Sequence, residues 1–355
     1  MNLSEFDYDL PQSFIAQEPL EPRDSSKLMR LNRHTGAIAH STFRDIVDFI
    51  NPGDVLVMNT TRVIPARLFA TKANSGGKIE ILLLRQLDDT RWHVLAGGRR
   101  ILPGLELHFA GTDVTATVLE ELEASERIIN FSQPVNALLT QLGEMPLPPY
   151  IHHRLQDSER YQTVYSRQEG SAAAPTAGLH FTPELLLKLR DKGVKIANCV
   201  LHVGLDTFQP VKVENIKDHH MHSERAYLSA DDARIINEAK LAGGRVISVG
   251  TTSTRTLETA AILSAGGDPA HPEAIGDICA WQPVTAFDSD TNLFIYPGYQ
   301  WRVVDAIITN FHLPKSTLLM MMSSFAGRDN ILHAYETAKQ NNYRFFSFGD
   351  AMFIS

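Results

Sequence analysis

The spacing of apolar residues changes along the chain. Residues 53–59 (Gly-Asp-Val-Leu-Val-Met-Asn) follow a Pro-Gly turn and are apolar almost without interruption, as in a strand covered on both faces. Residues 78–84, 91–95, 105–109, 114–118 and 127–131 are short runs, several of them alternating, with Gly, Asp or Pro between them. Strands spaced at roughly 8–12 residues read as a small antiparallel barrel or sandwich. The Pro-rich stretch 145–150 closes this segment. Helix and strand patterns alternate beyond it. Thr182-Pro183 predicts a helix start, Leu185, Leu186 and Leu189 its apolar face, and Gly193 its stop. Residues 194–203 read as a strand, Ser229 starts a helix that Gly243-Gly244 end, 245–250 is a strand and 252–263 a helix. A strand over 303–309 precedes a Leu/Met-rich helix from Ser316, a helix over 330–340 and a last strand over 344–348. Such alternation implies a mainly parallel sheet covered by helices. The predicted fold class is α/β: a mainly parallel sheet domain flanked by helices, built from residues 1–66 and 151–355, with a small antiparallel β-barrel inserted as residues 67–150.

Composition narrows the class. Of 355 residues, 43% are hydrophobic and 21% charged, which excludes a disordered chain. No apolar run approaches the roughly 20 residues that span a bilayer. The acidic start lacks the basic and apolar regions of a signal peptide. Two cysteines, Cys199 and Cys279, rule out a disulfide framework or a CxxC zinc site and fit a reducing compartment. A cytoplasmic monomer is expected. The net charge of −8 argues against a globally basic nucleic-acid binder. It leaves room for a local basic patch, because phosphate attraction acts over about one Debye length.

Ligands of open α/β sheets bind beyond the carboxyl ends of strands. The strand exits here read Asn59-Thr60-Thr61-Arg62, Gly204-Leu205-Asp206-Thr207-Phe208, Thr251-Thr252-Ser253-Thr254-Arg255 and Asn310-Phe311-His312-Leu313-Pro314-Lys315-Ser316. One such loop is no more than an ordinary polar helix cap; four together favour a single polar mouth. Residues 170–182 (Gly-Ser-Ala-Ala-Ala-Pro-Thr-Ala-Gly-Leu-His-Phe-Thr) are unusually small. They suit either a backbone passing close to a ligand or a tight crossing between elements. Neither GxGxxG nor GxxxxGK[ST] occurs, so the usual nucleotide loops are not supported. His219, His220, His222 and Glu224, with His202, His180 or His312, invite a metal reading. Their spacing is not HExxH, and an acid–base cluster or a solvated turn competes with it. In the barrel, Lys78, Arg85, Arg91, Trp92, His93, Arg99 and Arg100 suit phosphate contact or a solvated strand face, and His152-His153-Arg154 adjoins them.

Taken in order, Asp24-Ser25-Ser26-Lys27-Leu28, Pro52-Gly53-Asp54, Thr61-Arg62-Val63-Ile64-Pro65-Ala66-Arg67, residues 173–182, Leu201-His202-Val203-Gly204, residues 219–224, Val249-Gly250-Thr251-Thr252-Ser253, Thr309-Asn310-Phe311-His312-Leu313-Pro314 and Ser347-Phe348-Gly349-Asp350-Ala351-Met352 span the whole chain. This ordered set closely resembles the S-adenosylmethionine:tRNA ribosyltransferase-isomerases of queuosine biosynthesis. Two positions depart from the family pattern, which commonly has Gly at Asp206 and Asp or Asn at Thr60. Residues 266–292 match poorly and read as a variable insertion.

The resemblance implies that the ribosyl part of S-adenosylmethionine, a co-substrate, moves onto 7-aminomethyl-7-deazaguanine at the wobble position of a tRNA. Isomerisation then gives epoxyqueuosine, with release of adenine and methionine and no metal or redox cofactor. The sulfonium acidifies the adjacent C5′ proton, so a base tuned towards neutrality is needed within hydrogen-bond reach. His202, His222 and Glu224 are the candidates. His180 or His312 is the candidate donor to the departing purine. Thr176, Thr251, Thr252, Asn310 and Ser316 are candidate donors to ribose hydroxyls and the methionine carboxylate, with Arg255 pairing to the latter. Gly178, Gly204 and Gly250 complete the set by letting backbone approach. Arg91, Arg99 and Arg100 are expected to form part of a cationic face for single-stranded anticodon bases. The rival readings are a metal-dependent hydrolase built on the histidines and a non-catalytic RNA-binding module.

Overall fold

The computed structural model describes residues 1–153, 155–204, 211, 213–273 and 279–355. In chain order, β1 (Lys27–Leu31), β2 (Ile38–Thr42), α1 (Ile46–Phe49) and β3 (Val55–Asn59) come first. Then follow β4 (Thr61–Val63), β5 (Arg67–Lys72), β6 (Lys78–Gln86), β7 (Arg91–Gly97), β8 (Glu106–Phe109), β9 (Thr115–Glu121), β10 (Glu126–Phe131), α2 (Leu139–Leu142), β11 (Gly143–Glu144) and β12 (Gln168–Ser171). The remainder is α3 (Pro183–Asp191), β13 (Lys195–Leu201), β14 (Glu224–Leu228), α4 (Ala230–Leu241), β15 (Val246–Val249), α5 (Gly250–Ser264), β16 (Phe287–Thr291), β17 (Ala306–Asn310), α6 (Thr317–Ala326), α7 (Arg328–Gln340) and β18 (Ala351–Ile354). Two compact units result: Met1–Thr61, Pro149–Arg167 and Pro175–Ser355 form one, Arg62–Pro148 and Gln168–Ala174 the other.

The first unit is built on a nine-stranded sheet ordered β16-β14-β13-β3-β15-β17-β18-β1-β2. Its centre, β13-β3-β15-β17, is parallel, and its edges are antiparallel. Every residue of β3, β15, β17 and β18 is buried. This explains the unbroken apolar runs, because alternate side chains enter different cores. Leu56, Met58, Ile247, Val249 and Ile308 meet Phe43, Ile46, Phe181, Leu185 and Leu189 on one face. Val55, Val57, Cys199, Val246 and Ile307 meet Ala233, Ile236, Leu257, Leu319 and Met322 on the other. Thr182 and Ser229 cap α3 and α4 by accepting the N–H of Leu185 (3.2 Å) and Asp232 (3.0 Å), as the sequence predicts.

Aspartates peg the strand starts. Asp54 accepts from Arg245 N (2.9 Å), Arg245 Nη2 (2.6 Å) and Asn51 N (2.8 Å), joining the entries of β3 and β15. Burial pushes the Asp54 carboxyl up, but the Arg245 bonds outweigh it and hold it below its usual value. Asp305 accepts from Val246 N (2.8 Å) and Lys240 Nζ (2.6 Å). Asp350 accepts from Lys27 N (2.9 Å) and Arg344 N (2.7 Å). Asp54 and Asp305 fix the entry end of the parallel strands, whereas Asp350 lies beside Asn310 at the carboxyl end of β17, because β18 runs antiparallel to β17.

The second unit contains a closed six-stranded antiparallel barrel, β5-β6-β7-β10-β9-β8, which β8 completes by pairing back to β5. Alternation along β7, β8 and β10 places Trp92, Val94, Leu107, Phe109, Ile129 and Phe131 inside. Among the described residues no helix is long and apolar enough to cross a membrane.

Three differences from the sequence reading have physical causes. Residues 344–348 are not a strand: the phenylalanine spacing there belongs to a turn, with Phe346 at φ 68°. Its Phe345 packs among the rings of Tyr8, Phe14, Phe311 and Tyr335. The final strand is β18. The strands β1, β2, β14 and β16 carry no long apolar run, since they lie toward the sheet edges and mix polar with apolar residues.

Candidate functional site

The carboxyl ends of the parallel strands carry two hydrogen-bonded clusters. At the exits of β3 and β13, Asn59 bridges the strands, donating from Nδ2 to Leu201 O (3.0 Å) and accepting from Leu201 N (3.2 Å) and Thr61 N (3.1 Å). Thr61 Oγ1 then bonds His202 Nδ1 at 2.8 Å. His202 Nε2 bonds to no described residue. Burial lowers the pKa of His202, so the ring is neutral at pH 7 and its free nitrogen is a base.

Glu224 stands elsewhere. It accepts from Gly204 N (2.9 Å) and is ion-paired with Arg255 Nη1, both side chains being buried. Arg255 Nη2 also reaches Thr291 O (3.4 Å). His202 N donates to Arg225 O (3.0 Å), which sets His202 opposite Arg225 in the antiparallel register. Alternation therefore sends the side chains of His202 and Glu224 to opposite faces. The expectation that Arg255 faces a ligand carboxylate gives way to this internal pair. His222 is exposed, so it does not share the buried setting of His202 or Glu224. Burial, then the neighbouring His222 and His220, lowers the pKa of His219. Among the described residues no three His, Cys, Asp or Glu side chains are grouped to hold a metal ion. Asp206 and Arg154 lie outside the described residues.

At the exit of β17, Thr176 Oγ1 donates to Asn310 Oδ1 (2.9 Å), Asn310 Nδ2 meets His180 Nε2 (3.2 Å), and His180 Nδ1 meets Ser26 Oγ (2.8 Å). With the amide NH₂ as donor, His180 accepts at Nε2 and carries its proton on Nδ1. Phe43 stacks on the ring at 4.9 Å. Both nitrogens are thus engaged. Burial, aided by Arg344 and Arg23, drives the His180 pKa down to about 3. Burial does the same to His312, whose Nε2 bonds Thr309 Oγ1 at 2.7 Å. Neither is an imidazolium at neutral pH, so neither offers the cationic acid expected for a departing purine. Ser316 caps α6, accepting from Leu319 N (3.2 Å) and donating to Leu313 O (2.7 Å).

Three hydroxyls at this end of the first unit are buried without a hydrogen-bond partner among the described residues: Thr252 Oγ1, Thr163 Oγ1 and Tyr165 Oη. Thr252 follows Thr251 in the first turn of α5. Gly250 begins that turn at φ 85°, a conformation only glycine adopts without strain, beside Ala177. Gly178 is needed for space: a Cβ there would lie 1.9 Å from Tyr165 Oη and 2.8 Å from Thr163 Cγ2. Thr163 and Tyr165 escape sequence reasoning because residues 162–167 carry no periodic pattern; the small residues of 176–178 are the only trace of the ring packed against them.

In the barrel unit, Arg91 opens β7 and Arg99 lies just past its other end. Six steps of about 3.3 Å put Arg91 roughly 20 Å from Gly97, so Arg91 and Arg99 belong to opposite ends of the strand. Arg91 is ion-paired with Asp88. Lys72 Nζ donates to the carbonyls of Arg99 and Arg100 (3.2 Å to the latter). The strand registers bring Lys78 to the same end.

The family model for queuosine biosynthesis proteins matches residues 3–354. A solved S-adenosylmethionine tRNA ribosyltransferase from Thermotoga maritima is 39% identical, with a TM-score of 0.56, over 99% of this chain and 100% of its own. By that end-to-end match the chain belongs to the queuosine biosynthesis protein family.

Proposed function

We propose that the protein transfers the ribosyl part of S-adenosylmethionine to 7-aminomethyl-7-deazaguanine at the wobble position of tRNA and isomerises it to epoxyqueuosine, releasing adenine and methionine. The likeness to the Thermotoga maritima enzyme carries this reading. In it the protein is a cytoplasmic monomer, residues 67–150 are an inserted barrel, and no metal takes part.

His202 is the base. It is the candidate held at a strand exit, with Thr61 orienting the ring and burial keeping it neutral, while its other nitrogen bonds to no described residue. Glu224 holds Arg255 and Gly204 in place. Thr252, Thr163 and Tyr165, whose hydroxyls have no partner among the described residues, take the ribose hydroxyls. Thr176, Asn310 and His180 form the rigid wall behind them, and Gly178 and Gly250 permit the close approach. Thr251 lies exposed enough in the same turn to meet the donor. The cationic barrel end with Lys72, Lys78, Arg99 and Arg100 meets the RNA backbone.

Incubating the protein with precursor-containing tRNA and S-adenosylmethionine, then analysing nucleosides by mass, tests the reaction. His202→Ala should lower kcat by about 10²–10⁴, the usual contribution of a general base, and leave the KM for tRNA unchanged. A kcat within about tenfold of the unaltered protein removes His202 from that role.

A further inference from the structure

On the far side of His180 from Asn310 lies a half-open cleft that the reaction just described does not use. Arg23, Arg160 and Arg344 line it, and no carboxylate does; Pro19, Leu20, Leu179 and Phe348 supply apolar wall. Three guanidiniums on one cleft stand out in a chain of net charge −8. The stretches 24–28 and 347–352, singled out in the sequence, both reach it through Ser26, Ser347 and Phe348.

The arginines are held firmly but not neutralised within the cleft. Arg23 donates to main-chain oxygens of Gln162 (2.8 Å), Leu179 (3.4 Å) and Glu159 (2.9 Å). Burial, then Arg160, lowers its pKa, while the outlying Glu21, Asp157 and Glu159 oppose this. Arg160 pairs with Glu21, whose side chain is 74% exposed. Arg344 donates to Glu18 O (3.1 Å), and its Nε stands 3.9 Å from Asp350. Asp350 itself is occupied by two backbone N–H groups. Ser26 and Ser347 are bonded to His180 (2.8 Å) and Tyr150 (2.7 Å). Arg160 Nη2 also donates to Leu20 O (2.5 Å), yet each guanidinium keeps N–H groups without an acceptor among the described residues, on a rigid frame. Planar, fixed donors of this kind match the oxygens of a phosphate.

We propose that the Arg23–Arg160–Arg344 cleft binds a phosphate group, and that the backbone of the RNA substrate supplies it. The source rests on the transferase reading; the phosphate chemistry does not. Free phosphate is the other source, and the two are separable.

The test measures affinity for the unmodified anticodon stem-loop across a salt series, without S-adenosylmethionine, and binding of inorganic phosphate by calorimetry. Unaltered protein, Arg344→Gln, Leu20→Glu and Leu20→Gln are compared. Leu20→Glu places a negative charge on the wall and removes no arginine, so it carries the test if Arg344→Gln fails to fold. Loss of one phosphate contact should weaken RNA binding about tenfold and flatten the salt slope by about 0.7 in Arg344→Gln and in Leu20→Glu, with Leu20→Gln near the unaltered value. Phosphate binding lost in those variants with RNA affinity unchanged would keep the phosphate site and overturn RNA as its source. If both stay within twofold of the unaltered protein, the proposal is wrong. Adenine release by the unaltered protein reports separately on the transferase reading.

Discussion

Gly178 and Tyr165 form a pair whose coupling can be measured. A Cβ on Gly178 would sit 1.9 Å from Tyr165 Oη, far inside any carbon–oxygen contact, so the ring or the 176–178 backbone must move. Overpacking of this kind costs about 1–3 kcal/mol. The backbone angle is not the obstacle, because Gly178 is not among the positive-φ glycines. Tyr165→Phe removes the atom in the way. It also removes a buried hydroxyl without a partner, whose desolvation costs about 1–3 kcal/mol, so the free protein should be at least as stable as before. Relief in the double variant is partial, since Thr163 Cγ2 at 2.8 Å and Tyr165 Cζ at 2.9 Å remain. Urea unfolding of the four proteins without ligand should give a coupling of about 1 kcal/mol or more. The KM for S-adenosylmethionine separates packing from function. Losing one hydrogen bond of about 1 kcal/mol should raise it roughly fivefold in Tyr165→Phe, although that protein is no less stable. Additivity within about 0.5 kcal/mol would show that the phenol swings clear of Gly178. An unchanged KM would remove Tyr165 from the donor site.

Acid should unfold the protein through its buried histidines. His180 and His312 titrate near 3 in the fold and near the ordinary value of about 6.5 when unfolded, so protons favour the unfolded chain. The stability they allow is present above about pH 6.5 and is lost as pH falls towards 3. The two together should remove about 3 kcal/mol between about pH 6.5 and 5, read from urea midpoints, and a flat profile there would contradict their burial. Glu224→Ala leaves the Arg255 charge buried and alone; the expected cost is about 3–5 kcal/mol in unfolding free energy. A stable variant with kcat lowered more than a hundredfold would instead make Glu224 the base. Charge reversal at Arg99 and Arg100 should raise the KM for tRNA about tenfold, whereas Arg91→Glu, already paired with Asp88 and at the other end of β7, should change it less than twofold; equal effects would refute the two-ended barrel surface.

The strand exits were legible because β3, β15 and β17 are buried on both faces. In such strands the mainly apolar run ends where the sheet ends, and Asn59, Gly250 and Asn310 stand there. The barrel was legible from its alternation. The arginine cleft was not, since residues 23, 160 and 344 are brought together only by tertiary packing. Nor was the turn at 344–348, where aromatic residues packing into a core imitate the spacing of a strand.

The harder distinction is between polar residues that serve the fold and those that serve a ligand. Ser316 and Thr252 have the same chemistry and similar places, each near the start of a helix beyond a buried strand. Ser316 both gives and accepts a bond within the chain, so its only proton is committed and a ligand finds at most one remaining lone pair. Thr252 Oγ1 does neither among the described residues, and burial without a partner is costly unless something else supplies the bond. The same test sorts His180, with both nitrogens engaged, from His202, with one free. Residue type and position nominate a candidate; unused hydrogen-bonding capacity, which depends on neighbours far away in the chain, decides whether it is available to a substrate.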